Sequence, residues 1–525
     1  MDVDPTRRRF LSLAGATGLG VVLAGCTSKS TTAAPSSTTA TSPTASAAST
    51  PPPPSRSPDP TFKELGQQLG DRLATPGHSS YKPGTLLYNP RFAGQKPPLG
   101  IANCSSRSDV VDCVRFAAGG ADLRIRNGGH SYGGWSSGSG LVANLADMND
   151  VTVDHGAMTA TVGAGALLGT VYSQLAGAGV SIGAGSCATV GLAGLTLGGG
   201  VGLLTRLYGL TCDQVSAFQV VTADGRTRTV GKTDDPDLFW ALQGGGGSLA
   251  VVTALTLKVR PAPQLRQVYL EWSGEQAADV VSAWQQWASG VPREVWSTCK
   301  ILAKPGDGVR ATITAVDAGG GSLDSQVATL LKNTPSPRTN APSSHSYGDA
   351  MLASAGCLGE SADQCIAAAL TPAQRLPEAA ASAIVRTPLS DKAIGAIVSA
   401  VQAGMDVKNM VEGGVSFDAL GGAVGDVDSD ATAFPWRDAL ATVQYTATWP
   451  FNDAEQPARY DAFVQSERSA LTPELGDSAY LNYADPSLTD YAAAYWGPNL
   501  ARLKSVKKTY DPHGVFDSPQ GVPGQ

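Results

Sequence analysis

Two kinds of hydrophobic and polar patterning divide this chain. Between about residues 262 and 479, Gln267-Val-Tyr-Leu-Glu-Trp272, Ala311-Thr-Ile-Thr-Ala315 and Thr442-Val-Gln-Tyr-Thr-Ala-Thr-Trp449 place apolar side chains at alternate positions, the period of a strand with one buried face. Ala277 to Ala288 repeats its apolar positions at helical spacing instead. The expectation is an antiparallel sheet with helices on one face. Residues 62–261 have shorter runs punctuated by glycine: Leu123-Arg-Ile-Arg126 reads as a strand, and Gln219-Val-Val-Thr-Ala-Asp-Gly225 as a strand entering a tight turn. The expected class is α+β.

The N-terminus has a different pattern. Thr6-Arg-Arg-Arg-Phe-Leu11 is a twin-arginine pattern, and the apolar run that follows to Gly25 is about 16 residues long, short of the roughly 20 needed to span a bilayer. Residues 1–26 are therefore expected to be an export signal read by the twin-arginine (Tat) machinery. Leu23-Ala-Gly-Cys26 resembles a bacterial lipobox, with Cys26 as the acylated residue; the alternative is an ordinary cleavage site. Residues 27–60 are nearly all Ser, Thr, Ala and Pro, a composition that cannot bury a core, and read as a tether on the order of 30 Å long. The expected location is the outer face of the cytoplasmic membrane, held by a lipid anchor, or secreted.

Two glycine-rich blocks carry the chemistry: Asn127-Gly-Gly-His-Ser-Tyr-Gly-Gly134, and Gly185-Ser-Cys-Ala-Thr-Val-Gly191 continuing to Leu197-Gly-Gly-Gly-Val-Gly202. Each sets one nucleophile, His130 or Cys187, among residues with little bulk. Glycine permits the positive φ angles of an anion-binding nest and close approach of backbone to a pyrophosphate, so a phosphate-bearing dinucleotide is expected. The first block lacks Gly-x-Gly-x-x-Gly opening a helix, and no acidic residue clearly waits about 20 positions on for a ribose, which argues against a nicotinamide site.

With both blocks in this order, the chain resembles flavin-linked oxidases of the berberine bridge enzyme and oligosaccharide oxidase group, with an FAD-binding domain of the vanillyl-alcohol-oxidase (PCMH) type. Asp109–Phe116, Ala143–Asn149, Asp237–Gly247, Leu481-Asn-Tyr-Ala-Asp485, Tyr495-Trp-Gly-Pro-Asn499 and Tyr510–Phe516 extend the similarity over most of residues 85–520. The resemblance implies an FAD domain of residues 62–261 completed by 480–518, and a substrate domain of 262–479. It implies FAD joined through its 8α carbon to His130 and through C6 to Cys187. Around the cofactor it places Arg126, Asn127, Gly128, Gly129, Ser131, Val190, Gly191, Gly199, Gly200, Gly202, Val252, Asn482 and Asn499.

By the same resemblance Tyr483 is the catalytic base, with Tyr480 as its competitor. A phenol acting at neutral pH requires a hydrogen-bonding or cationic neighbour. Gln444 is expected to face the flavin and orient substrate, Tyr132 and Trp135 to line the cleft, and Val190 to admit dioxygen, giving hydrogen peroxide. No carboxylate occurs on the Gln444 strand to assist the base. The implied function is oxidation of an alcohol or hemiacetal in a carbohydrate or secondary metabolite; the alternatives are a tethered electron-transfer flavoprotein and a binding module without flavin.

A length of 525 residues with 42% hydrophobic content allows two or three domains. The net charge of −7, without a basic stripe, argues against nucleic acid as a partner. Of the eight cysteines, Cys357 and Cys365 flank a loop turning into a helix at Ser361 and are a candidate bridge. Cys104 precedes a helix and Cys113 lies inside it, a separation expected to keep them apart. Cys212 and Cys299 read as core.

Overall fold

The computed structural model describes residues 61–92, 94–371, 374–451 and 457–524. The signal and tether, 1–26 and 27–60, lie outside the described residues. Four short strands, β1 (Leu73–Ala74), β2 (Gly100–Asn103), β3 (Leu123–Arg126) and β4 (Leu141–Asn144), form a sheet ordered β1-β2-β4-β3, with β2, β4 and β3 parallel. The chain continues through β5 (Val151–Asp154), β6 (Thr159–Gly163), β7 (Val180–Ser181), β8 (Val215–Val221), β9 (Thr227–Gly231), β10 (Val251–Lys258) and β11 (Arg260–Pro261). Of these, β5-β6-β10-β8-β9 make a five-stranded antiparallel sheet, and β7 pairs with β11. The helix Arg107–Ala118 packs between the sheets from a capping box at Ser106, whose hydroxyl and the Asp109 carboxylate each accept a backbone N–H of the first turn.

The remaining strands, β12 (Gln264–Ser273), β13 (Val295–Lys304), β14 (Gly308–Asp317), β15 (Thr339–Ser346), β16 (Glu378–Val385), β17 (Glu412–Ala419) and β18 (Ala441–Thr448), form a seven-stranded antiparallel sheet ordered β15-β12-β14-β13-β17-β18-β16. Along β18 the alternation decides everything: Val443, Tyr445 and Ala447 are fully buried, while Gln444, Thr446 and Thr448 point the other way and stay partly open. Helices Ala277–Gly290, Asp391–Ala403 and Pro457–Leu475 cover the apolar face. The polar face is left to line a cavity. The expected α+β class holds.

Cys357 and Cys365 form a disulfide, brought together as the chain turns into the helix Ala362–Ala369, capped by Ser361. Cys212 and Cys299 are buried core residues. The distance argument for Cys104 and Cys113 fails: their sulfurs are 3.8 Å apart, buried and unbonded. Ser105 and Ser106 bond to Asp109 in the first turn of the helix, and Cys104 reaches Cys113 across this turn, so separation along the axis does not measure separation in space.

Candidate active site

A cavity of about 1540 Å³ lies between the glycine loops and the polar face of the seven-stranded sheet. The two glycine blocks meet at its wall. A Cβ on Gly128 would stand 2.3 Å from the Gly191 nitrogen, and one on Gly191 would stand 2.5 Å from that of Gly128. Each position requires glycine because the other loop presses on it. Leu168 and Gly169 donate to the carbonyls of Val190 and Ala188, fixing the second loop against the helix Leu168–Gly177.

This contact brings His130 and Cys187 to the same cavity. His130 Nε2 is 2.7 Å from Thr189 Oγ1, and its ring stacks on Tyr88 with centroids 3.6 Å apart. Burial lowers its pKa to about 3, so the imidazole is neutral at any physiological pH, and Nδ1 has no partner among the described residues. The Cys187 side chain is exposed to the cavity. Burial within the walls pushes its thiol up, so the resting form is the protonated thiol and not a preformed thiolate.

On the opposite wall, Gln444 Nε2 donates to the Tyr132 hydroxyl at 2.5 Å. Tyr483 lies parallel to Tyr132, with ring centroids 6.0 Å apart, and donates its hydroxyl proton to Asp418 Oδ2 at 3.1 Å. Burial raises the Asp418 carboxyl, opposed by the nearby Lys300 ammonium. Burial and the Asp418 charge together push the Tyr483 phenol well up. The hydrogen-bonding neighbour of Tyr483 is thus a carboxyl group, whose charge opposes a tyrosinate instead of favouring one. The strand of Gln444 bears no carboxylate, as its sequence shows. Asp418 comes from the adjacent β17, where it pairs with Thr442, and Glu378 comes from β16 on the other side. Glu378 lines the cavity, and burial raises its pKa to about 7.

Asn127, Gly128, Gly129, Ser131, Val190, Gly191, Val252 and Asn482 line the cavity with His130 and Cys187, as do Tyr132, Trp135, Gln444 and Tyr483. Six expected site residues do not. Tyr480 is buried with its hydroxyl accepting from Gly200 N and Asn482 Nδ2, so it supports a loop and faces no substrate. Gly199 and Gly200 carry positive φ values of 115° and 91°, and a Cβ on Gly202 would meet the Ala184 carbonyl at 1.8 Å. Their lack of side chains serves the fold of the loop. Arg126 is buried and donates to the carbonyls of Gly84 and Ser136. Asn499 donates to the carbonyls of Ser429 and Thr432. These are polar groups whose burial demands partners; the protein backbone supplies them for Asn499 and for Arg126 Nε and Nη1, while Arg126 Nη2 is buried without a partner among the described residues.

A family model described as an FAD binding domain matches residues 98–231, and one described as berberine and berberine like matches residues 479–523. The chain is 32% identical over 467 residues to an uncharacterized FAD-linked oxidoreductase, YgaK, of Bacillus subtilis, covering 87% of this chain and 97% of that one. This chain belongs to the FAD-linked oxidoreductases. It is also 30% identical over 442 residues to the glucooligosaccharide oxidase of Sarocladium strictum, covering 80% of this chain and 86% of that protein. The solved structure of Physcomitrella patens BBE-like 1 superimposes with a TM-score of 0.80 at 28% identity, over 89% of this chain and 100% of that one. A chitooligosaccharide oxidase at 24% identity, covering 88% of this chain and 99% of that one, shares the fold with a TM-score of 0.79.

The walls of this FAD-linked oxidoreductase fit the cofactor. At Gly194 and Gly247 a Cβ would meet nothing closer than 3.9 Å and 3.8 Å; both line the cavity, so a side chain there would occupy the space a ligand needs. The C-terminal segment closes the same cavity. Trp496 donates to the Gly244 carbonyl and Lys507 to that of Ser248, while Phe516 to Gly521 contribute to the lining.

Proposed function

We propose that this FAD-linked oxidoreductase is an exported oxidase of an alcohol or hemiacetal, in a carbohydrate or secondary metabolite, with dioxygen as acceptor and hydrogen peroxide as product. The observation that carries this reading is the Tyr483–Asp418 pair, set on the cavity that also holds His130 and Cys187. Bound FAD supplies the hydride acceptor and the route for electrons to dioxygen. His130, through its free Nδ1, and Cys187, once its proton is removed, are the residues placed to hold the 8α carbon and C6 of the cofactor.

Tyr483 receives the substrate hydroxyl proton at Oη as its own proton moves to Asp418 Oδ2. The carboxylate is the terminal base and the phenol a relay, which removes the need for a tyrosinate. Gln444, held by Tyr132, orients the substrate. Val190, on the turn that carries Cys187, borders the path by which dioxygen reaches the ring. The twin-arginine pattern supports export of the folded holoprotein through the Tat machinery, with Cys26 as lipid anchor.

The test is acid precipitation of the purified mature protein, followed by peroxide detection over sugars and hydroxylated natural products. Flavin in the pellet and peroxide from at least one compound are expected. Colourless protein, or flavin that no compound reduces, would refute the reading.

A further inference from the structure

The segment that leads into Cys187 is held along its length by the chain that follows β15. The helix Tyr347–Ser354 begins there. The Tyr347 hydroxyl donates to the Ile182 carbonyl at 2.9 Å and accepts from the Ile182 N–H at 3.2 Å, and at the far end of the helix Ser354 Oγ donates to the Ser186 carbonyl at 3.3 Å. The chain then turns at Gly356 into Cys357, and the Cys357–Cys365 disulfide packs on Ala188 in a small apolar cluster with Leu352 and Ile366. Ile182, Ser186 and Ala188 are thus contacted in order, and the last two flank Cys187.

The turn between the two cysteines has little else to fix it. Leu358 to Ser361 are exposed, Gly356 and Gly359 carry positive φ values of 80° and 85°, and the N–H groups of Gly356, Cys357 and Glu360 bond to carbonyls within residues 352–357. These bonds are local and do not anchor the turn to the rest of the fold. The bridge does, because closing a loop removes most of its open conformations. Behind it, a Cβ on Gly169 would stand 3.1 Å from Ala188 Cβ and 3.2 Å from Ile366 Cδ1, so the helices Ala362–Ala369 and Leu168–Gly177 and the Cys187 loop meet at one point.

We infer that the Cys357–Cys365 disulfide is a positioning clamp for Cys187, closing the segment that holds Ile182 to Ala188 and so fixing Sγ towards C6 of the flavin. This deepens the cofactor reading above and rests on it. Forming that bond removes the thiol proton and the C6 hydrogen, and passes two electrons to the flavin and from it to dioxygen. Misplacement by about 1 Å costs about 10²-fold in such a step, and a loop of small residues takes its position from its neighbours. Disulfides form and persist in oxidising compartments, so the clamp closes after export and attachment at Cys187 follows it. His130 lies on the other glycine loop, braced by Tyr88, and its bond does not depend on the clamp.

The test uses the mature exported flavoprotein and its Cys357→Ala/Cys365→Ala double variant. In the wild type a dithiol adds two electrons and two protons across the bridge, giving two thiols while it closes to its own disulfide; alkylation and mass confirm the opening. Hydrogen exchange is read at Gly169, Ile182 and Val190, whose N–H groups bond to Ala188, Tyr347 and Cys187. In the reduced protein and in the variant it should quicken about tenfold or more, a loss of local stability of about 1.4 kcal/mol, with β8 unchanged. Peptide mass should find flavin on His130 in both proteins, and on Cys187 of the variant an adduct that forms about 10²-fold more slowly than in the wild type.

Unchanged exchange on opening the bridge, or a Cys187 adduct that forms as fast in the variant as in the wild type, overturns the clamp. So does exchange that quickens equally along β8, because the bridge would then support the whole fold and not this loop. If the variant does not accumulate, exchange in the reduced wild type decides alone. Failure of the cofactor reading is separately visible: no flavin on Cys187 of the wild type, with exchange still quickened on reduction, defeats the attachment and supports the clamp on the loop.

Discussion

Asp418→Asn is the sharpest probe of the proton path. Asparagine keeps the volume and can still accept the Tyr483 hydroxyl, now 3.1 Å from Asp418 Oδ2, but it cannot take up the proton. The change removes the terminal base without opening a cavity. General-base catalysis contributes about 10²–10⁴-fold, or about 2.7–5.5 kcal/mol of barrier, and kcat should fall by that factor while KM changes little. Burial raises the wild-type carboxyl, so the acid limb of the wild-type kcat profile should lie above the ordinary carboxylate range, and it should vanish in Asp418→Asn. Tyr483→Phe should lose a similar factor. The double variant should be little worse than either, because a relay acts as one unit. The assay is anaerobic reduction of the bound flavin by a substrate found in the peroxide screen, followed by stopped-flow absorbance over pH. A kcat for Asp418→Asn within a factor of about ten of wild type, with the acid limb unchanged, would refute the relay.

His130→Ala and Cys187→Ala should each retain flavin in the acid pellet, and the double variant should release it; covalent flavin persisting in the double variant would disprove both attachment points. Gly191→Ala forces a Cβ to 2.5 Å from the Gly128 nitrogen. It should cost about 1–3 kcal/mol in a urea titration and weaken FAD retention, and a silent substitution would show that the loops do not interlock. Glu467 is fully buried with both carboxyl oxygens unpartnered among the described residues, and burial holds its pKa well above the ordinary value. Its stabilising contribution is therefore complete below the unfolded-state pKa and lost as pH rises towards the folded one. Glu467→Gln should flatten the decline of the urea midpoint above about pH 4.3, and an unchanged slope would count against it.

The local signals in this sequence had local causes. The glycine blocks declared two loops that must come close to something, and the alternation along residues 442–449 declared a strand with a polar face and an apolar one. Similarity of motif then pointed to His130, Cys187, Gln444 and Tyr483, all of which line one cavity. What the glycines come close to was not legible: at Gly128 and Gly191 it is the other loop, a contact between segments 63 positions apart.

Asp418 precedes Tyr483 by 65 residues, in a strand whose alternation tells which face the carboxylate takes but not which strand lies beside it. That neighbour is set by the order β13-β17-β18-β16, which depends on how the helices and connections pack. The same order sets the Lys300 ammonium near Asp418 and pairs Arg310 with Glu412. Tyr480 and Tyr483 are separated by their hydrogen-bond partners and their access to the cavity: one hydroxyl is consumed by Gly200 and Asn482, and the other turns towards Asp418 at the cavity wall. The sequence by itself determined the periods of the elements and pointed to candidate residues on them. Tertiary structure decided their partners, because strand order and burial are properties of the whole packed chain and not of any segment of it.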